Sequence, residues 1–213
     1  FYTSQTLHIK GGTAHGAYPH LGIDAMMIAA HFLVAVQTMM AREKDTFSHA
    51  IITFDQIKGG TARNIICDEV EINGICRTFN PETREMLNRR IDEILKGITM
   101  TFGGTYEFER QRSHPALICD PDMAEHVRET ADMILGSGHV IDLPHGSLGC
   151  ESFAYFAEAR KGAFFWMGTG NKEAGIDKPL HSSSFDIDER ALPLASAMHA
   201  ALAWNYLEKH SQS

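Results

Sequence analysis

The chain lacks the features of a nucleic-acid-binding protein. No basic run is longer than the pair Arg89 and Arg90, and the formal net charge at pH 7 is -8. Binding to a phosphate backbone requires a basic surface that neutralises several phosphates. We therefore expect no nucleic-acid partner.

Cysteine is also scarce, and its spacing argues against a zinc-thiolate site. The four cysteines form no CxxC pair and lie in apolar or strand-like surroundings: Cys67, Cys76, Cys119 and Cys150. Paired spacing is the usual sign of structural zinc, and dense cysteine is typical of small secreted domains. We expect free thiols, a reducing compartment and a cytoplasmic protein.

Long apolar runs are missing as well. No stretch of about eighteen residues is free of polar interruptions, and no basic segment precedes an apolar one at the start of the chain. Neither a membrane partner nor a secretory signal is therefore predicted. The chain begins with Phe1 rather than Met. We expect it to be a fragment or processed piece, so a missing targeting signal says little about the parent protein.

The first half of the chain contains the pattern of a small α+β domain. With 213 residues, 44% of them apolar, the chain can bury a sizeable core. Periodicity and capping residues predict strand, helix, strand, strand, helix and strand at residues 5–11, 23–42, 48–58, 68–79, 80–103 and 105–112. This order predicts a ferredoxin-like arrangement, a four-stranded antiparallel sheet with two helices on one face.

The helix predicted over residues 23–42 is apolar on nearly all sides. Such a helix has to be covered on more than one face, and in a small domain a second subunit can supply the second cover. We therefore expect a homodimer formed through this domain. The methionines of the helix are interpreted as core or interface residues rather than as ligands.

The second half of the chain follows a different pattern. The sequence predicts helices at residues 121–135, 151–160 and 188–209, with short strands at 139–143 and 162–168. Alternating helices and apolar strands indicate part of an α/β layer. We place the domain boundary near residues 112 to 116 and divide the chain into domains 1–112 and 113–213.

Five motifs appear in the order and spacing of a known family. They are KGGTAHGAYPHLGID, GGTARNII, GICRTF, FAYFAEARKGAFFWMG and HSSSFDIDERAL. Together they resemble the M20 metallopeptidases, and most of all the amidohydrolases acting on hippurate, other N-acyl amino acids and indole-acetyl-amino acids. The resemblance implies that 1–112 is the lid and dimerisation domain, and that 113–213 is the C-terminal part of an α/β zinc-peptidase-like catalytic domain.

The resemblance implies a two-metal site in the complete protein, with Zn, Mn, Co or Ni as the divalent ion. His181 is the one family metal ligand with a counterpart here. The other ligands and the Glu-Glu pair containing the general base lie upstream in the family, so we expect this chain alone to be inactive. From the residues alone, without the resemblance, a surface histidine bonded to a neighbouring serine is the favoured interpretation of His181.

Three residues match functional positions of the family's lid domain. His15 matches a histidine that reaches into an active site, commonly that of the dimer partner, and can donate a hydrogen bond to an oxyanion. The alternative is a turn histidine bonded locally. Asn64 resembles an asparagine that orients substrate, although the proline usual shortly after it is Cys67 here. His20 either contacts substrate or fixes the loop.

Three further positions are candidates for binding the substrate's carboxylate. Arg77 offers a guanidinium fork, although a strand-surface ion pair with a neighbouring glutamate explains it as well: Glu69 or Glu71. Gly168 and Gly170 belong to a loop whose backbone N–H groups can hold an anion.

Glu151 aligns with the glutamate of the subfamily's EDF motif, where Ser152 replaces the usual aspartate. It either lines the floor of the active site or begins a helix as a favourable acid of the first turn.

The resemblance thus implies a metal-dependent amidohydrolase that cleaves the amide bond of N-acyl amino acids or small peptide-like conjugates. The alternative is a non-catalytic dimerisation or ligand-binding module derived from the same fold. The sequence immediately before Phe1 would discriminate between them, because only the enzyme requires the upstream ligands and the Glu-Glu pair.

Overall fold

The computed structural model describes residues 1–211, except for the side chain of Arg112. The strands are β1 Tyr2–Lys10, β2 Ala50–Gly59, β3 Glu69–Thr78 and β4 Thr105–Arg112. The helices are α1 Ala25–Arg42, α2 Pro81–Phe102, α3 Pro121–Leu135, α4 Phe153–Ala159 and α5 Ala191–His210. The chain divides into two compact units: Phe1–Leu117 with Ser147–Tyr155 form the first, and the remaining described residues form the second.

The first unit is built on one four-stranded sheet with the order β2-β3-β1-β4. Every neighbouring pair of strands is antiparallel, and Leu7 of β1 stands opposite Ile72 of β3 and Phe108 of β4. This order and the intervening helices are those of the ferredoxin-like fold, so the predicted architecture of the domain is confirmed.

One face of the sheet carries the core of this unit. Leu7, Ile9 and Ile72 are fully or almost fully buried in a cluster that also contains residues of both helices: Ile28, Phe32 and Val36 of α1, and Leu87, Ile91 and Leu95 of α2. The two helices also contact each other. Both therefore lie on the same face, as predicted, and strand residues of opposite parity remain more exposed.

Local signals set the helix boundaries. The Asp24 carboxylate accepts hydrogen bonds from the backbone N–H groups of Met26 and Met27, so α1 begins at Ala25 rather than at residue 23. The Asn80 side chain caps the start of α2 by accepting from Thr83 N–H, and α2 ends at Phe102, where Gly103 with φ 77° caps it. Each side-chain cap contributes about 1 kcal/mol to helix stability.

Helix α1 has two different faces. Its buried residues pack in the core, whereas Met26, Met27 and Val34 on the other side are about half to two-thirds exposed. By length and composition α1 is long and apolar enough to cross a membrane. Because one whole face packs against the sheet, we interpret α1 as a core helix.

The second unit contains α3 and α5, which pack against each other. The strands predicted at 139–143 and 162–168 are wrong, because the structure contains no strand at these positions. A strand needs a neighbouring strand to pair with. Residues 162–168 are hydrogen-bonded to the short segment around Cys119 and Asp120, which is not a strand: Asp120 N–H donates to Gly162 O over 2.9 Å, and Phe164 N–H donates to the Cys119 sulfur.

Candidate functional site

The loop between β1 and α1 is closed at its base by a pair of backbone hydrogen bonds. Gly12 and Ile23 each donate their N–H to the other's carbonyl, both over 2.9 Å. Gly11 lies directly against this pair, and a Cβ there would stand 2.1 Å from the Ile23 oxygen. Glycine at position 11 therefore permits the close approach of the two chain segments.

A second loop, between β2 and β3, lies beside the first. Gly16 N–H donates to Asn64 O over 2.7 Å, and Ile66 N–H donates to Ala14 O over 2.8 Å. His15 is thereby paired with Ile65 in an isolated antiparallel bridge. The fold thus brings two of the three lid residues named from the sequence, His15 and Asn64, onto adjacent backbone segments.

The imidazole of His15 is held in one tautomer by its own loop. Its Nδ1 accepts a hydrogen bond from Ala17 N–H over 3.1 Å. A neutral imidazole that accepts at Nδ1 carries its proton on Nε2. The side chain is exposed, and Nε2 has no partner among residues 1–211. His15 therefore presents a free N–H donor on a loop whose backbone is fixed.

His20 lies in the same loop and is also exposed. Its ring packs edge-on against Tyr18 with centroids 6.4 Å apart, and Tyr18 stands 5.8 Å from the ring of His15. This packing is consistent with a loop-fixing role for His20. Sequence reasoning missed Tyr18, because an exposed aromatic residue in a loop gives no periodic signal.

Arg77 does not form the ion pair considered from the sequence. The Glu69 carboxylate lies 3.4 Å from His8 Nδ1, and Glu71 forms an ion pair with Lys58. The Arg77 guanidinium lies 5.1 Å above the ring of Tyr2. Its Nη1 donates to the carbonyl oxygen of Leu148 over 2.7 Å, and its buried Nε has no partner among the described residues.

Glu151 belongs to the segment Ser147–Tyr155, which packs with the first unit. Helix α4 begins only at Phe153, and its first turn contains no acidic residue. The interpretation of Glu151 as a first-turn acid is therefore wrong. Its side chain is half-buried, and its carbonyl oxygen accepts a hydrogen bond from Ala154 N–H over 3.1 Å.

In the second unit, Gly168 and Gly170 lie in a loop that follows no strand, which corrects the sequence expectation. A Cβ at Gly168 would meet no atom within 4 Å. The loop is attached to Asp188, three residues before α5: Asp188 N–H donates to Thr169 O over 2.8 Å. Hydrogen bonds from the Arg190 side chain and, secondarily, from Asn171 hold the pKa of Asp188 well below its usual range.

His181 lies in an exposed loop of the second unit. Its φ of 66° places it in the left-handed region, and it is the only non-glycine residue within the described range that does so. Within residues 1–211 no hydrogen bond joins its ring to the neighbouring serines, and Ser182 and Ser184 pair with each other through their hydroxyls at 3.1 Å. A strained residue of this kind is a reason to examine the position for function.

The described residues do not by themselves form a metal centre. Nowhere in 1–211 do three or more His, Cys, Asp or Glu side chains come together in a way that could hold a metal ion. His181 alone does not fit a dinuclear site.

Most of the first unit matches a known family of domains. Residues 2–100 match the peptidase dimerisation domain of the M20 family. A probable hydrolase of Synechocystis sp. is 32% identical over 200 residues, which cover 94% of this chain and 51% of that protein. An N-acetyldiaminopimelate deacetylase of Streptococcus sanguinis is 31% identical, over 89% of this chain and 48% of that protein.

A solved structure of an M20 peptidase is also similar to this chain. A dinuclear metal-binding peptidase of the M20 family from Bacillus subtilis superimposes with a TM-score of 0.73 and 26% identity, covering 97% of this chain and 50% of that one. Residues 2–100 thus match the dimerisation domain of M20 peptidases, and the chain is similar to hydrolases, among them an M20 peptidase, over nearly its whole length. It spans about half the length of the curated relatives it matches.

Proposed function

We propose that the chain forms part of a metal-dependent amidohydrolase that cleaves the amide bond of N-acyl amino acids or small peptide-like conjugates. Relatedness to hydrolases over both units supports the proposal, and one relative is a deacetylase of an N-acetylated amino acid. The observation that carries it is the hydrogen bond from Ala17 N–H to His15 Nδ1, which leaves Nε2–H as the free donor on a backbone segment paired with that of Asn64.

The proposed role of His15 is to stabilise the transition state of amide cleavage. When the amide carbon becomes tetrahedral, its oxygen gains negative charge, and a donor already aimed at it needs no reorganisation. Removal of one such donor from known oxyanion sites costs about 3 to 4 kcal/mol in the barrier. Asn64, with a carboxamide that both donates and accepts, would orient the substrate beside it.

The free carboxylate of the substrate is assigned to the loop containing Gly168 and Gly170, whose backbone N–H groups can receive an anion. Glu151 is assigned to the lining of the site. His181 is proposed as a metal ligand. Because the described residues do not form a metal centre, we assign no step of the reaction to the metal.

We also propose that two copies associate through the dimerisation domain and that His15 serves the site of the partner copy. Strand β2 lies at an edge of the sheet, and Ile51 and Ile57 on it are 40% and 53% exposed. The outer face of α1 exposes further apolar side chains: Met26, Met27 and Val34. A free edge beside an apolar face supports pairing with a second copy.

The direct test measures the hydrolysis of N-acetyl amino acids by the full-length gene product that contains this sequence. His15→Ala should lower kcat about 100- to 1000-fold with little change in KM, because the lost contact is made only in the transition state. His20→Ala, in the same loop, serves as the control and should change kcat by no more than a few fold. Full activity in the His15→Ala variant would contradict the proposal.

A further inference from the structure

Segment Ser147–Tyr155 is far from the sheet in sequence but packs with it in the first unit. Two side chains attach it. Arg77 of β3 donates from Nη1 to the carbonyl oxygen of Leu148 over 2.7 Å. Tyr155 donates its hydroxyl proton to the carbonyl oxygen of Ser113, just beyond the end of β4.

A continuous row of rings joins these two attachments. The Arg77 guanidinium lies 5.1 Å above Tyr2, the ring of Tyr2 is 6.3 Å from that of His114, and the ring of His114 is 5.3 Å from that of Tyr155. The backbone beneath the row is fixed, since Tyr2 N–H donates to His114 O over 3.0 Å and Ser113 N–H donates to Tyr2 O over 3.1 Å.

The contacts of Arg77 in this row limit how its guanidinium can bind a ligand. One of its terminal nitrogens is already used by Leu148, and its Nε is buried, so a ligand oxygen cannot reach that nitrogen without displacing protein atoms. Two-point recognition of a carboxylate needs parallel donors that are accessible to the ligand. The arrangement favours a residue that fastens one part of the protein to another.

We infer that Arg77 and Tyr155 are positioning residues that fasten the Ser147–Tyr155 segment to the sheet of the dimerisation domain. This attachment keeps Glu151 in the unit that contains His15 and Asn64. Glu151 lies three residues after Leu148 and four before Tyr155. A short segment fixed at both ends has little conformational freedom. The inferred role of Glu151 rests on the proposed function, whereas the attachment itself does not.

Hydrogen exchange of the backbone amides of Gly149, Ala154 and Tyr155 in the full-length gene product tests the attachment, because these amides are hydrogen-bonded within the segment. Arg77→Lys and Tyr155→Phe each remove one hydrogen bond, and each should speed exchange in this segment roughly fivefold. Arg89→Lys and Tyr206→Phe are matched control substitutions outside the row, and they should leave this exchange unchanged. Unchanged exchange in both Arg77→Lys and Tyr155→Phe would overturn the inference.

Kinetics separates fastening from substrate binding. If Arg77 positions the segment, Arg77→Lys lowers kcat/KM by the same factor for an N-acetyl amino acid and for its carboxamide, and Tyr155→Phe shows the same pattern. A loss confined to the substrate with a free carboxylate would overturn the inference and make Arg77 a substrate-binding residue. If the wild-type protein hydrolyses neither compound, the proposed function fails, and the exchange measurement still decides the attachment.

Discussion

The structure adds an observation about His181 that its sequence motif does not contain. The motif identified it as a metal ligand by resemblance, but its left-handed backbone became visible only in the structure. Histidine adopts this conformation more readily than most non-glycine residues, though at a cost of about 1 kcal/mol or more. A loop that retains such strain is consistent with a side chain held for binding.

The strain and the ligand role of His181 can be separated by two substitutions. His181→Asn tolerates the left-handed backbone, and His181→Gly relieves the strain and should raise the unfolding temperature slightly. Both should lower bound metal in the full-length gene product, because neither retains the imidazole. Metal analysis with thermal unfolding measures both effects. Unchanged metal content in both variants would show that His181 is a surface residue and not a metal ligand.

Arg77 shows why residue roles are harder to predict than residue positions. Its strand and the face of the sheet it occupies follow from the alternation in residues 68–79. Its partner, the carbonyl oxygen of Leu148, is separated from it by 71 positions in the chain. No local pattern connects the two, so the sequence offered only a neighbouring glutamate or a substrate carboxylate.

At the scale of elements, the loop bearing His15 depends on glycine at one close contact. Gly11→Ala would push a methyl group against the backbone of Ile23, so we expect a loss of about 1–3 kcal/mol in stability and disruption of the loop. Gly97, in the middle of α2, is the matched control. Nothing lies within 4 Å of a Cβ there, and Gly97→Ala should stabilise the protein by about 0.5–1 kcal/mol.

Urea unfolding of the full-length gene product measures both glycine variants. The two substitutions add the same atoms, so opposite signs would show that the surroundings of each glycine decide the effect. Equal stabilisation by both would mean that the contact at Gly11 is absent in solution.

The elements of the first unit could be predicted from the sequence because their signals are local. Alternation identified β3, and Asn80, Pro81 and Gly103 marked the ends of α2. The strands expected at 139–143 and 162–168 had equally apolar sequences but no neighbouring strand within the described residues. Pairing is a property of two segments, so composition alone cannot establish it.

At the scale of the whole molecule, the dimerisation domain and the proposed ligand His181 lie in separate compact units. In the proposed enzyme, His15 of one copy completes the site that contains His181 of the other copy. The family resemblance supplied this expectation, and the exposed edge of β2 and outer face of α1 support it.

Mixing two inactive variants of the full-length gene product tests this central claim most directly. His15→Ala and His181→Ala homodimers should each be nearly inactive. After subunit exchange, one site of each heterodimer would contain both histidines intact, so an equal mixture should recover about a quarter of wild-type activity per subunit. If mass spectrometry shows heterodimers and no activity returns, His15 does not serve the partner's site, and the account is contradicted.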